Sequence, residues 1–598
     1  MSDITPPEDV EKNASTDKGF FSSEKAVEFP EDTQLAYKQT SGWQRFKDSF
    51  KPFDTSELQT AGLNDVEIAA LATAKAPLKR GLKSRHLQMI AIGGSIGTGL
   101  FVGSGGALSS GGPAAVFIGY TLTGMMLFCT CHALGELAVR FPVSGAFATY
   151  GTRFIDHSWG FAMGWNYALQ WFVVLPLELV AASVTINYWG QTSSGQTLNN
   201  SAANVNHDAW VAIFFVIVSV INIFGVRGYG EAEFLFSMIK VIAVIGFIIL
   251  GIVLNCGGGP HGGYIGGKYW HDPGAFAAGA KGVVSVFVNA AFAFSGTELS
   301  GLAAAETKNP RKMLPSAIKQ VFWRITLFYV VALLVVGLLV PWTDPRLLTS
   351  SSVDASASPF VIAIENAGIG GLPSVMNVVI LISVLSVGNS AVYASSRTFA
   401  ALAAQRMAPK FLGYIDRQGR PLFAILVTLT FGLLCFVAAS PQQGQVFDWL
   451  LAFSGMSALF TWGSICLAHL RFRKAMRVQG QSLDQLPFKA ALGIWGSWFG
   501  FILNVLLIIL QFWVALWPIG GEPNASGFFQ IYLSVPLVLA MFIGHKLWYR
   551  HSIIRTKDMD LTTGMREYDV DLLLQEIAEE KAFVASKGWW YRVYKWWC

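Results

Sequence analysis

The sequence predicts an all-α integral membrane protein of about twelve spanning helices. Three observations predict it. Hydrophobic residues make up 53% of the 598 and charged residues only 14%, against roughly 25% charged in soluble domains. The apolar residues fall in long runs close to the ~20 needed to cross a bilayer. Finally, lysine and arginine concentrate in alternate loops, as the positive-inside rule requires of a multi-pass chain.

Residues Met1–Arg85 are rich in Ser, Thr, Pro, Glu and Lys and read as a largely disordered tail. Within them GWQRFKDSFKPF has the pattern of a short interfacial helix. With no early apolar stretch no cleavable leader is expected, and the first span is expected to act as the insertion signal. Spans 1 to 5 are expected at Leu87–Leu108, Pro113–Val139, Trp159–Tyr188, Trp210–Gly225 and Phe234–Cys256. Spans 6 to 10 follow at Gly282–Ala305, Val321–Pro341, Leu372–Ser395, Leu422–Ala439 and Phe447–Leu470. Spans 11 and 12 fall at Ala491–Pro518 and Phe528–Tyr549, and residues 550–598 form a polar second tail.

The cations set the orientation. Lys79, Arg80, Lys83 and Arg85 precede span 1; Arg140 and Arg153 follow span 2; Arg311 and Lys319 follow span 6. Arg406 and Arg417 follow span 8, and Arg471 and Arg473 follow span 10, whereas the alternate loops carry only Lys268, Lys281 and Arg346. Even-numbered loops and both termini are therefore expected in the cytoplasm. Asn13 would then be an unmodified glycosylation triplet, while Asn199 and Asn524 lie in outside loops. Net charge is a modest +5, and no nucleic-acid partner is expected. The cysteines form no CxxC pair and the histidines no HExxH, so neither a disulfide framework nor a metal site is expected. No nucleophile–base pair or metal cluster within the spans points to an enzyme.

Two spans depart from a straight lipid-facing helix. Span 1 reads MIAIGGSIGTGLFVGSGGAL, and span 6 contains FSGTELSG at mid-membrane. Glycine costs a helix roughly 1 kcal/mol relative to alanine, and freed backbone groups at this depth need a polar cavity. Two readings stay open for span 1: a broken helix, or close packing through Gly93-xxx-Gly97 and Gly99-xxx-Gly103. The two spans open two five-helix blocks, and five is odd, so the blocks would be inverted. Paired interruptions in inverted repeats point to a transport site. Free N–H groups attract an anion and free carbonyls a cation, and a zwitterionic α-amino acid presents one of each.

Ionisable residues within spans are the next signal, because they are costly there. Lys240 in FLFSMIKVIAVI lies about 9–12 Å past the start of span 5; it either lines a pathway or snorkels back to the interface. Glu178 in VLPLELVAAS fits a structural hydrogen bond or a substrate contact. For Glu298 a structural role at the span-6 break is favoured, and Glu136 is expected to anchor a loop. The last residues, KGWWYRVYKWWC, mix aromatics and cations as interfacial segments do. Cys598 there is either a reversible acyl anchor or part of a plain aromatic patch.

RHLQMIAIGGSIGTGLFVGSG, ALGELAVRFPVSGAFATYGTRFID, GYGEAEFLFSMIKVI and ASSRTFAALAAQRMAPKFLGYIDRQGRP occur in this order. Together they resemble the fungal amino-acid permeases of the amino acid–polyamine–organocation superfamily, over roughly Leu78 to Cys598. NCGGGPHGGYIGGKYWHDPGAF and DVDLLLQEIAEEKA make the general amino acid permeases the nearest likeness within it.

The resemblance implies a leucine-transporter-type fold with a 5+5 inverted repeat plus two helices. Residues 86–256 and 257–470 would be its halves, 471–549 its added helices, and 1–85 and 550–598 its tails. It implies proton-coupled uptake of amino acids at the plasma membrane, with broad specificity, with the co-transported proton in place of a cofactor. A narrow-range permease or a non-transporting sensor are the alternatives. The substrate carboxylate would meet Gly97, Thr98 and Gly99, and its amino group the carbonyls of Ser95, Phe292 and Ser295. Phe292 stands where related exchangers gate with tryptophan. Ser454 and Gly455 match positions linked to side-chain selectivity, and Lys240 matches a lysine that replaces a sodium ion. Membrane lipids are expected partners, and so is ubiquitin-ligase machinery acting on tail lysines such as Lys12 and Lys18.

Overall fold

The computed structural model describes residues 42–52, 86, 89, 90, 94, 96–143, 145–190, 207–260, 262–302, 306, 310–349, 358–439, 443–563, 579 and 582–591. Ser95, Gly93, Cys598, Asn199, Lys12 and Lys18 lie outside the described residues. The chain divides into two units, Met1–Lys51 and Pro52–Cys598. In the first, the expected short helix forms at Gly42–Asp48, with Lys47 over the Trp43 ring.

The second unit is helical, with no strand among the described residues. Eight of its helices are long and apolar enough to cross a membrane: Pro113–Arg140, His157–Thr185, Gly228–Asn255, Gly279–Leu302, Met313–Leu339, Leu372–Ala404, Gly444–Val478 and Gly493–Leu516. They fall in spans 2, 3, 5, 6, 7, 8, 10 and 11. Span 12 is a pair, Ala525–Tyr532 and Ser534–Tyr549, bent by 65°, while spans 4 and 9 hold the shorter helices Asp208–Ile223 and Leu422–Phe436. Span 1 is helical over Thr98–Phe101 and Gly103–Gly111.

Local chemistry sets the ends. Span 3 starts on Asp156, whose carboxylate accepts the Ser158 and Trp159 amides at 2.8 and 3.4 Å, satisfying donors that the first turn leaves free. The same carboxylate takes Lys546 of span 12. Span 2 starts with Pro113, where a missing N–H costs nothing. Spans 4 and 5 are joined without a loop, and Gly225 turns the chain there at φ +72°, a conformation side chains oppose.

Spans 7, 8 and 10 run further at their cation-rich ends than hydrophobicity alone suggested, from Pro310 and to Ala404 and Val478. A helix keeps its backbone bonds in water as well as in lipid, so the polar transition ends the apolar run without ending the helix. Those extensions carry partnered cations. Arg397 pairs with Glu306 at 3.1 Å, and Arg473 with Glu136 at 2.5 Å. Glu136 also accepts the Ala490 amide at 2.8 Å, so it fastens the loop between spans 10 and 11 as expected. Residues 551–563 lie along this same face. Ile554 bonds to Ile155, Gln479 to the Met559 carbonyl, and Arg153 to Asp560, with Met559 and Leu561 buried.

Span 3 packs most extensively on span 8, and span 6 lies against spans 1, 2 and 10. On the outside of the bundle Leu235, Ile242 and Ile249 of span 5, and Trp495, Ile502 and Ile509 of span 11, stay exposed. Each set repeats every seven residues, one stripe per helix, and stripes of this length are suited to lipid.

At the opposite end, Arg346 gathers Asp344, Glu365 and Asn366, and Tyr188 donates to Glu365 at 3.1 Å. Burial alone would raise the Asp344 carboxyl, but the bonds from Arg346 outweigh it and hold the group below the usual aspartate value. A carboxyl lowered by folding contributes stability above its unfolded value and loses it only as pH falls through the folded one. This network should therefore persist as pH drops below about 4. Arg346→Gln is expected to move the acid-side loss of thermal stability of the solubilised protein to higher pH. An unchanged acid limit would mean that Asp344 does not contribute.

Candidate functional site

Span 1 restarts at Gly97, whose φ of −156° and ψ of −147° are extended, and becomes helical at Thr98. The Thr98 and Gly99 amides belong to the first turn of that helix, whose N–H groups have no partner within the helix itself. Span 6 breaks after Phe294. Ser295 is extended and Gly296 has φ +99°, which glycine alone adopts at no cost; a short helix resumes at Leu299–Leu302.

Glu298 holds that break in place. Its oxygens accept the Gly296 amide at 3.2 Å, the Tyr167 hydroxyl at 3.4 Å and the Trp462 indole at 3.3 Å. It therefore fixes the bend from spans 3 and 10, the structural role favoured from the sequence. Tyr329 donates to the Ala293 carbonyl at 2.8 Å, and Gln170 to the Ser295 hydroxyl at 2.7 Å.

The two breaks and span 3 enclose one cavity. Its walls are Gly97, Thr98 and Gly99 of span 1, Trp171, Val174 and Glu178 of span 3, Phe292 and Ser295 of span 6, and Val387 of span 8. Six residues singled out in the sequence thus meet: Gly97, Thr98, Gly99, Glu178, Phe292 and Ser295. The Thr98 hydroxyl donates to Glu178 Oε2 at 2.5 Å, while Glu178 Oε1 has no partner among the described residues. One wall offers helix-start amides to an anion and the neighbouring wall an acceptor carboxylate to a cation. The interior measures about 10 Å³, scarcely room for one water. Any ligand with several heavy atoms needs the walls to part.

Ser454 and Gly455 do not line this cavity. Ser454 is buried, and a Cβ on Gly455 would come within 2.6 Å of the Val288 carbonyl, so Gly455 lets span 10 approach span 6. Close packing also accounts for part of the glycine pattern in span 1. A Cβ on Gly99 would lie 2.5 Å from Ala293 Cα, and one on Gly97 would lie 2.4 Å from Val387 Cγ2.

Lys240 is fully buried rather than snorkelling. Its Nζ donates to Ser386 of span 8 at 2.8 Å. One turn on, Asn389 accepts from Asn222 of span 4 at 2.7 Å. Glu233, also fully buried, stands 3.9 Å from Lys240 and was not foreseen. Its signal was the seven-residue spacing, two turns along one helical face. Trp171 and Val174 were missed too, although they lie seven and four residues before Glu178 on the same face.

Residues 86–557 match the family model "Amino acid permease". The chain is 61% identical to the general amino-acid permease GAP2 of Candida albicans, covering 93% of each. It is 57% identical to the general amino-acid permease GAP1 of Saccharomyces cerevisiae, covering 99% of this chain and 98% of that one. With the histidine permease of the same yeast it shares 52% identity over 87% of this chain and 86% of the relative.

The two span-1 glycines should separate experimentally. Gly97→Ala strikes a side chain, so Val387→Ala added to it should restore most of the lost melting temperature. Gly99→Ala strikes the span-6 backbone, and the same second change should not help it. Single overpacking changes typically cost about 1–3 kcal/mol, within reach of a thermal unfolding assay on purified protein. Equal rescue of both would contradict the assignment of the two contacts.

Proposed function

The chain belongs to the amino acid permease family, and from that premise we propose that it takes up amino acids of broad range across the plasma membrane, driven by co-transported protons. Its relatives are transporters rather than enzymes. The observation that carries the reading is the cavity in which the start of the span-1 helix and Glu178 face Phe292 and Ser295 of the span-6 break. Such a pairing suits a zwitterion. The carboxylate would sit on Gly97, Thr98 and Gly99, with the amino group toward span-6 carbonyls at Phe292 and Ser295, Ser95 of span 1, and the free oxygen of Glu178. Ser454 and Gly455 would act on side-chain choice through the packing of span 10 on span 6.

The architecture proposed with it has twelve spans, counting the eight long helices, the bent pair, the two shorter helices and span 1. Residues 86–256 and 257–470 form inverted halves, 471–549 adds two helices, and the tails 1–85 and 550–598 are cytoplasmic. Lipids and ubiquitin-ligase machinery are the proposed partners. A competition panel of labelled uptake in cells lacking their own permeases tests the range. Amino acids with an amidated carboxylate should fail to compete. A response confined to one or two substrates would favour the second reading, a narrow-range permease like the histidine relative.

The proton is assigned to Lys240. Charged, it ties span 5 to Ser386 of span 8; neutral, it weakens that tie and shifts the balance between outward- and inward-facing states. A coupling ion acts only through such differential affinity. Lys240→Met is expected to abolish concentrative uptake and its dependence on external pH at normal surface level. Accumulation with an unchanged pH profile would move the proton site elsewhere. At the far tail, Cys598→Ser is expected to remove acyl labelling; persistent labelling would point to another cysteine.

A further inference from the structure

The reading above leaves the fully buried carboxylate of Glu233 without a task. Glu233 precedes Lys240 by seven residues on span 5, about 10 Å along the axis. Helical side chains lean toward the N-terminus, so the lysine stem brings Nζ back to 3.9 Å from Glu233 Oε1. That is too long for the direct charge-assisted contact of about 2.7–2.9 Å that a structural ion pair favours. Ser386 stands between them instead. Its hydroxyl accepts from Lys240 Nζ at 2.8 Å and donates to Glu233 Oε2 at 2.6 Å.

The surroundings hold the carboxylate in place. Ser237 Oγ lies 3.1 Å from both Glu233 Oε1 and the Met89 carbonyl of span 1. Ser390 lies 3.1 Å from the Tyr229 hydroxyl. The charged groups acting on Lys240 are Glu233 from its own helix, Glu178 from span 3 and Arg324 from span 7. Beyond Tyr229 lie Arg397 and Glu306.

We propose that Glu233 is a proton-relay residue, receiving through the Ser386 hydroxyl the proton that Lys240 carries. The proposal rests on the proton-coupled reading of Lys240. In the step, an ammonium N–H bond breaks as an O–H bond forms on Ser386 Oγ. The original Ser386 O–H bond breaks as one forms on Glu233 Oε2. Ammonium and carboxylate become amine and carboxylic acid, with no other reactant and no change in buried net charge. Because an isolated buried charge is costly, a transfer that neutralises both partners together avoids leaving one stranded. Glu233 lies nearer the cytoplasmic start of span 5 in the proposed topology, so it passes the proton on to cytoplasmic water.

Glu233→Gln, Ser386→Ala and Lys240→Met should be compared in the full-length protein reconstituted in vesicles. Three quantities are read: amino-acid-induced proton flux, concentrative uptake, and exchange of labelled against unlabelled amino acid. In Glu233→Gln and Ser386→Ala, proton flux and concentrative uptake are expected to fall about a hundred-fold, in the range lost with a proton-transfer group. Exchange, which needs no net proton movement, should fall far less. Glu233→Asp keeps the carboxyl and should recover part of the flux, which guards against a Gln variant that fails to fold. If proton flux and exchange fall together in every variant, Glu233 only packs the helices and the relay is overturned. Wild-type flux in Glu233→Gln and Ser386→Ala, with flux lost in Lys240→Met, overturns the relay alone. Wild-type flux in Lys240→Met overturns the coupling reading and the relay with it.

Discussion

A polypeptide that interrupts its helices inside a bilayer has to find partners for the backbone groups it frees, and here that requirement falls on Glu298. The Gly296 amide has no helical acceptor, and the Glu298 carboxylate takes it while also receiving Tyr167 and Trp462. Span 3 and span 10 are thereby fixed against the bend in span 6. Ser295 is presented to the cavity with its hydroxyl held by Gln170. Without this bracket the span-6 wall of the cavity would have no defined position relative to Glu178 and Thr98. An uncompensated polar group at this depth costs several kcal/mol, so the bracket and the bend stand or fall together.

The same rule governs the side chains. Among the described residues, three sets of buried polar and charged side chains span different helices: Lys240 with Ser386 and Glu233, Glu306 with Arg397 and Tyr393, Glu136 with His469 and Arg473. Each set joins segments far apart in sequence. Buried pairs of this kind add little net stability against an apolar alternative. They define which helix meets which, and at what depth. The Glu306 and Glu136 sets belong to the cation-rich ends of spans 8 and 10, whereas the Lys240 set includes Ser386, the chain neighbour of the cavity residue Val387.

Close approach of the helices is the third element. Gly99 lets span 1 meet the span-6 backbone, and Gly455 lets span 10 meet it at Val288. The glycines in span 1 therefore serve both readings that their pattern allowed. Gly97 and Gly99 permit packing, and at a helix start they also line the cavity wall. The two uses are compatible because a residue without a side chain both fits a tight contact and exposes its own backbone.

Much of the fold was legible in the sequence, because hydrophobic runs and alternating loop charge are one-dimensional signals of a two-sided solvent. The interruption in span 6 was legible too, whereas the span-1 pattern of glycine, serine and threonine allowed a break and close packing alike. Five of the six cavity residues came from the family resemblance at these two spans, and Glu178 from the cost of an ionisable group within span 3. Glu233, Trp171 and Val387 were not singled out: the first two lie at helical spacing from Lys240 and Glu178, but spacing puts side chains on one face without saying what that face meets. The helix extensions beyond spans 7, 8 and 10 were hidden for a related reason, because hydrophobicity reports the membrane boundary and not the end of the backbone ladder. Sequence alone thus determined the solvent, the spans and the places where helices break. Which side chains of different spans share a hydrogen bond was decided only by tertiary packing, because a contact between residues 146 positions apart, such as Lys240 and Ser386, depends on the rotation and depth of two helices that no local pattern encodes.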